Sequence, residues 1–343
     1  VYQQEYSLDR IGLISLPDRK RINFNPELLS FKILHPQTTY ILGEFDYRPG
    51  SPYLSDQVEE LYRIGFDGLK LILGKPAFAR TFGITLQDPS FTKAFDRVST
   101  LFPHSFPILV HVGDPYYFWE TPSNIPLPWT YSSKDPPFEE CIALSEHLVK
   151  RFPHTVFIFP HLLFLAHQLN RLESILLSRP GVYTDLSPGN YFYADLFQQK
   201  KRTLDFLVSC KDRILFGTDG FFFDPRYKAL PYTDLYGNLE RTSRLIQFLE
   251  GNLPFPNPFI PTFTRFPLLN GLNLREHPQG KLLLEKLYSV NFLSLFGNSP
   301  RPLHMPSAYA YLETFLIGER TNSFCAKRRR MIEDTLTKLE ESP

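Results

Sequence analysis

Three short apolar runs each end on a side chain that could do chemistry. ILVHVGDP (Ile108–Pro115) delivers His111, VFIFPHLL (Val156–Leu163) delivers His161, and RILFGTDG (Arg213–Gly220) delivers Asp219. Neutral imidazoles with a carboxylate are the donor types that suit zinc or manganese, and water on such a metal loses a proton near neutral pH. A lone histidine on a strand is more often a hydrogen-bonded core residue. What lifts these three above that reading is their shared position, at the C-terminal end of one apolar run after another. His35, His104, His147, His154, His167, His277 and His304 fall on helix-like stretches, turns or the tail and are set aside.

The elements that must position these residues alternate along the chain. Strand-like runs occupy Ile11–Pro17, Thr38–Tyr47, Phe66–Gly74, Phe106–Gly113, Thr155–Leu162, Gly181–Ser187 and Arg213–Gly220. Helix-period segments such as FEECIALSEHLVKRF and LAHQLNRLESILLS lie between them. Near-continuous apolar strands, each followed by a helix, indicate an α/β fold with a parallel sheet covered by helices. A doubly wound sheet would want a glycine-rich phosphate turn, and no GxGxxG occurs. The expectation is a (β/α)8 TIM barrel with seven strands visible. The first strand would lie upstream of Val1 or be lost, since the chain opens on the helix-like YQQEYSLDRIG.

In such barrels the C-terminal strand ends carry the active site. Glu44, Asp46, Lys70, Lys75, Asp114, Asp185 and Ser187 collect at those ends beside the two histidines and Asp219. The loops after His111 and Asp219 are long and aromatic, with Trp119 and Trp129 in the former, and read as pocket walls. Gly251–Gly271 is rich in Pro and Phe and reads as irregular. GKLLLEKLYSVNFLSLFG supplies a last barrel-packing helix. The organisation expected is a barrel domain over 1–297 and a C-terminal helical extension over 298–343.

Bulk properties exclude several classes. Of 343 residues 43% are hydrophobic, enough for a large core, while 37 Lys plus Arg against 36 Asp plus Glu leave a formal charge of +1. That balance argues against nucleic-acid binding by phosphate neutralisation. The one basic cluster, Lys327–Arg330, reads as a solvated helix face. Cys141, Cys210 and Cys325 form no CxxC pair and fit free thiols in a reducing compartment. No run is long enough to span a bilayer and no signal peptide is visible, so a cytoplasmic protein is expected. GxSxG and GxxxxGK are absent, and no cysteine stands in a nucleophile setting.

HVGDP, a strand ending in PHL, GVYTDLS and DRILFGTDG, in that order, resemble the amidohydrolase-related branch of the amidohydrolase superfamily. The resemblance runs from about Ile11 to about Gly297; GFDGLKLILGKP is similar to the fourth-strand segment, and LYSVNFLSLFG to the closing helix. It implies a metal-dependent hydrolase acting on a small molecule, with zinc or manganese as the metal. On that likeness His111 binds metal, and His161 binds metal or orients water and the substrate's polarised group. Asp219 ligates metal and moves the proton of the attacking water. A non-oxidative decarboxylase on the same scaffold, or a non-catalytic barrel that has lost its metal, are the alternatives. The departure is the HxH pair of the family's first strand, which occurs nowhere in this chain.

Lys70 is read either as a carboxylated metal bridge or as a lysine paired with Glu44 or Asp46, the latter preferred because an unpaired buried ammonium is costly. Lys75, Arg80 and Trp119 join Lys70 as candidate substrate contacts. Asp114 is expected to tie down a loop. A homo-oligomer stays open.

Overall fold

The seven apolar runs form seven strands in the computed structural model, which describes residues 6–17, 21–101, 106–120, 131–187, 192–220, 235–251, 254–256, 268–318 and 323–340. The strands are β1 Ile11–Ile14, β2 Thr39–Gly43, β3 Gly68–Gly74, β4 Ile108–Val112, β5 Phe157–Phe159, β6 Val182–Asp185 and β7 Ile214–Leu215. Helices α1 Asn25–Leu34, α2 Leu54–Ile64, α3 Pro76–Phe82 and α4 Pro89–Leu101 alternate with the first four. Next come α5 Tyr117–Glu120, α6 Phe138–Arg151, α7 Leu169–Leu177, α8 Phe192–Gln198, α9 Lys200–Ser209 and α10 Leu235–Glu250. The chain closes with α11 Gly280–Glu285, α12 Asn291–Phe296, α13 Met305–Gly318 and α14 Ser323–Glu340. Parallel strands in chain order, alternating with helices, make this an α/β fold of the TIM-barrel kind.

The chain divides into two compact units. The first comprises 1–111, 152–156 and 296–343. Within it β1 pairs parallel with β2 (Ile11↔Thr39) and β2 with β3 (Leu42↔Gly68). Every residue of β2 and β3 is buried, as expected for parallel strands covered on both faces. Gly68 is required by close approach, because a Cβ there would lie 2.5 Å from the Pro107 carbonyl oxygen. A fully buried ion pair anchors α1: Lys32 Nζ donates to Asp67 Oδ2 at 2.6 Å and to the Gly65 carbonyl at 2.8 Å. Asp67 also accepts the N–H groups of Ile41 and Arg301, both at 2.7 Å. Charges taken this far from water persist only with such a complete set of partners.

Helices α13 and α14 belong to the first unit, and one expectation fails there. In the Lys327–Arg330 run, Arg328 is buried rather than solvated. Its guanidinium bonds Glu27 and, at 2.8 Å, the Asn23 carbonyl, and lies 5.0 Å from the Phe24 ring centroid. A sequence charge run marks a solvated face only until another helix packs on it, and α14 packs against α1.

The second unit comprises 112–151 and 157–295. Here β5 pairs parallel with β6 (Phe159↔Thr184) and β6 with β7 (Asp185↔Leu215). The short β7 is extended by a helix: Phe216 N–H donates to the Leu287 carbonyl at 3.1 Å. Leu287 lies in a π-helical stretch, Lys286–Val290, between α11 and α12. A π-turn takes an extra residue and leaves a carbonyl outside the helical ladder. Asn291 of the LYSVNF run then donates to the carbonyls of Lys211 and Ile214, both at 2.7 Å, fixing the approach to β7.

Part of the Gly251–Gly271 stretch, expected to be irregular, is regular. Pro254–Pro256 (β8) pairs antiparallel with Leu268–Asn270 (β9). Pro254 and Pro256 are two residues apart, so their missing N–H groups fall on one edge, which is how a short strand tolerates proline. Among the described residues no helix is long and apolar enough to cross a membrane.

Candidate functional site

His161 sits immediately after β5, and the chain does something unusual there. His161, Leu162, Leu163 and Phe164 have φ of 58°, 53°, 51° and 54°, a left-handed turn built without glycine. Each such residue costs about 1–2 kcal/mol, so the turn stores roughly 4–8 kcal/mol. Burial offsets it: Leu162, Leu163 and Leu165 are essentially inaccessible to solvent, worth about 1.5–3 kcal/mol each. Leu163 N–H to the Pro160 carbonyl (3.0 Å) and Leu165 N–H to the Leu162 carbonyl (2.9 Å) close the turn. The His161 N–H donates to Asp185 Oδ1 at 2.8 Å, and its ring stacks on Phe164.

Asp185 ends β6 and Ser187 follows two residues later, so both lie on the same side of the extended chain. Ser187 donates its hydroxyl to Asp185 Oδ1 at 2.6 Å and its N–H to the same oxygen at 3.0 Å. His161 Nδ1 lies 3.0 Å from Ser187 Oγ and 3.1 Å from the Ser187 carbonyl oxygen. All three side chains are buried. Gly217, just past β7, presses on them: a Cβ there would meet Ser187 Cβ at 2.9 Å and Asp185 Oδ2 at 3.4 Å. The glycine of the FGTDG run therefore makes room for the neighbouring strand.

Asp219 is also left-handed, with φ of 47°. Arg241 on α10 grips it twice, through the carbonyl oxygen at 3.2 Å and Oδ2 at 3.1 Å. The arginine is buried while Asp219 keeps partial exposure. Tyr193 of α8 is buried in the same unit. Burial pushes its phenol well above the ordinary range; Arg241 opposes this, and the charges of Asp185 and Asp219 add to it. Asp114 receives the hydroxyl of Tyr131 and so ties down its loop through that phenol.

The first unit holds a separate polar group at the end of β2. Glu44 is fully buried, its Oε1 accepting the Tyr47 hydroxyl at 2.6 Å and the Phe45 N–H at 2.9 Å. Asn25 clamps its backbone, accepting the Glu44 N–H at 2.9 Å and donating to its carbonyl at 2.8 Å. Burial raises the Glu44 carboxyl to about 8, against opposing contributions from Tyr47, Phe45 and the Lys70 ammonium. Lys70 thus lies in the field of Glu44, while Asp46 is taken by Arg48 at 2.6 Å. His111 is buried in β4, Lys75 is buried ahead of α3, and Arg80 is exposed on α3. Trp119, in the second unit, donates Nε1–H to the Pro136 carbonyl at 2.9 Å and stacks on Tyr131 at 4.4 Å, packing against its own loop. Trp129 and the aromatic segment 221–234 lie outside the described residues.

The second unit brings His161 to Asp185 and Ser187, and Asp219 to Arg241. Among the described residues no three His, Cys, Asp or Glu side chains stand close enough to hold an ion, and the Asp219 carboxylate is already engaged by a guanidinium. These donors alone do not fit a divalent metal, which takes three protein ligands at a catalytic zinc. Arg241 and Tyr193 left no mark in the sequence, because a polar residue on an amphipathic helix looks the same whether it meets water or a carboxylate. Asp185 and Ser187 did: two polar residues at spacing two closing an apolar strand.

No family profile and no curated protein matches the chain. Among solved structures, 5-carboxyvanillate decarboxylase LigW from Sphingomonas paucimobilis is similar with a TM-score of 0.48 and 13% identity, covering 86% of this chain and 80% of its own. An amidohydrolase II structure has a TM-score of 0.48 and 14% identity, covering 86% of both chains. An uncharacterised TIM-barrel protein from Bordetella bronchiseptica has a TM-score of 0.41 and 13% identity, covering 71% of this chain and 81% of its own.

Proposed function

We propose that the protein is an enzyme of the amidohydrolase-related type that acts on a small molecule by acid–base chemistry at His161 and Asp219. The observation that carries this is the strained turn at His161. Four left-handed residues without glycine set one imidazole against Asp185 and Ser187, and such strain is characteristically stored at working sites. In a hydrolysis, His161 accepts the proton of water as it attacks an electrophilic carbon. Asp219, held by Arg241 yet partly exposed, orients that water, and the protonated His161 then gives its proton to the leaving group. Non-oxidative decarboxylation would use the same two groups on a substrate carboxylate, and release of CO2 separates it from hydrolysis. Zinc or manganese, which the family resemblance implies, would need donors beyond His161 and Asp219.

The test is turnover of a panel of esters, amides, lactones and aromatic acids, with and without added zinc or manganese, alongside elemental analysis of the purified protein. Asp219→Ala should lower kcat by about 10²–10⁴-fold on any substrate found, the range for loss of a positioned acid–base group. Unchanged turnover in that variant refutes the assignment. Stoichiometric metal lost in the same variant would make Asp219 a ligand as well.

A further inference from the structure

We infer that Asp185, acting through the Ser187 hydroxyl, decides which ring nitrogen of His161 carries the proton, making Asp185 and Ser187 positioning residues for that imidazole. Asp185 Oδ1 receives two backbone N–H groups, those of His161 and Ser187, at 2.8 and 3.0 Å. An oxygen facing two N–H donors is an acceptor whatever the protonation of the other carboxyl oxygen. The Ser187 hydroxyl, 2.6 Å from that same oxygen, must therefore donate its one hydrogen to it. Oγ is left with lone pairs only toward His161 Nδ1 at 3.0 Å. The second neighbour of Nδ1, the Ser187 carbonyl oxygen at 3.1 Å, is an acceptor by nature. A nitrogen between two acceptors carries hydrogen. Neutral His161 is accordingly the Nδ1–H tautomer, with Nε2 as its acceptor nitrogen.

The geometry is hard to satisfy otherwise. All three side chains are buried, so water does not readily replace a missing partner. The same carboxylate that sets the hydroxyl also holds the backbone of His161 in its left-handed conformation, coupling ring tautomer to turn. Gly217 keeps the neighbouring chain against Ser187 and Asp185, leaving little room for the hydroxyl to swing while its acceptor is in place. The catalytic consequence rests on the function proposed above: Nε2 is the atom that takes the proton. The tautomer itself does not depend on that reading.

The test is a long-range ¹H–¹⁵N correlation on protein labelled at histidine, at a pH where the imidazole is neutral, with His161→Gln identifying the signal. Wild type should show Nδ1–H. In Asp185→Ala the hydroxyl loses its acceptor and can turn to donate to Nδ1, so the Nε2–H form should grow. Adding Ser187→Ala to that variant leaves only the carbonyl beside Nδ1 and should restore Nδ1–H. Asp185→Asn keeps an acceptor for the hydroxyl and Ser187→Ala keeps the carbonyl beside Nδ1, so both alone should keep Nδ1–H, which preserves the test if Asp185→Ala does not fold. An Nε2–H wild type, an Asp185→Ala variant still fully Nδ1–H, or a shift to Nε2–H in Ser187→Ala would each overturn the inference. With a substrate in hand, Asp185→Ala should lose about 10²-fold in kcat with KM little changed, and Asp185→Asn should recover most of it. A wild type that is Nδ1–H but turns nothing over would remove the proposed function and leave the relay standing.

Discussion

Glu44 should make the protein less stable as pH rises through the neutral range, and Glu44→Gln should remove that dependence. Its carboxyl stands at about 8 in the folded state against an ordinary value of 4.5. The folded value is the higher, so the stability linked to the bound proton is fully present below about pH 4.5 and lost as pH climbs through about 8. At about 1.4 kcal/mol per unit, the contribution lost between about pH 5 and pH 8 is on the order of 4 kcal/mol. Glutamine is a good mimic of the neutral acid. Its amide oxygen can keep the Tyr47 and Phe45 donors that Oε1 holds, while its NH2 takes the place of Oε2. Urea unfolding of both proteins by tryptophan fluorescence should show near-equal stability at about pH 5. At about pH 8 the glutamine variant should be more stable by several kcal/mol, approaching that 4 kcal/mol. The opposite result is equally readable. If Glu44 is instead ionised and neutralises Lys70, the variant leaves an ammonium buried without compensation and is destabilised at neutral pH. Parallel stability profiles, or a less stable variant at pH 8, would refute the reasoning.

Two further predictions concern buried groups. Asp67→Ala removes three hydrogen bonds, including the ion pair with Lys32, and should cost about 3–5 kcal/mol, read as a lowered urea midpoint with an unchanged slope. A loss under about 1 kcal/mol would show that the pair is dispensable. Burial pushes the thiols of Cys141 and Cys210 up to about 12. Neither should react with a disulfide reagent in the native protein at neutral pH, and both should react in urea. Mass mapping of the labelled sites decides it, and native labelling at either residue would contradict the burial.

Much of the architecture was legible along the chain. A strand covered on both faces must be apolar at every position, and β2 and β3 show that pattern directly in TYILG and GLKLILG. His161 and Asp219 stood out because they close successive apolar runs at the same end. Periodicity records burial, and burial is a one-dimensional signal that each residue carries by itself.

Partner choice is not carried in that way. His161 meets Ser187 only because β5 and β6 pair with Phe159 opposite Thr184, a register that joins residues 26 apart. The left-handed turn after Pro160 could not be foreseen, since leucines at its centre argue against that conformation. Only the core that buries Leu162 and Leu163 makes it tenable. Arg328 read as part of a solvated helix face until α1 supplied Glu27, and Arg241 meets Asp219 only through the fold. Trp119, read as a pocket wall, donates its indole N–H to the Pro136 carbonyl, a partner the sequence did not show. Which residues would be hidden was thus set by local chemistry, whereas which hidden polar groups would meet was set by strand register and helix packing. A hydrogen bond needs two partners within about 3 Å, and separation in sequence says nothing about that distance.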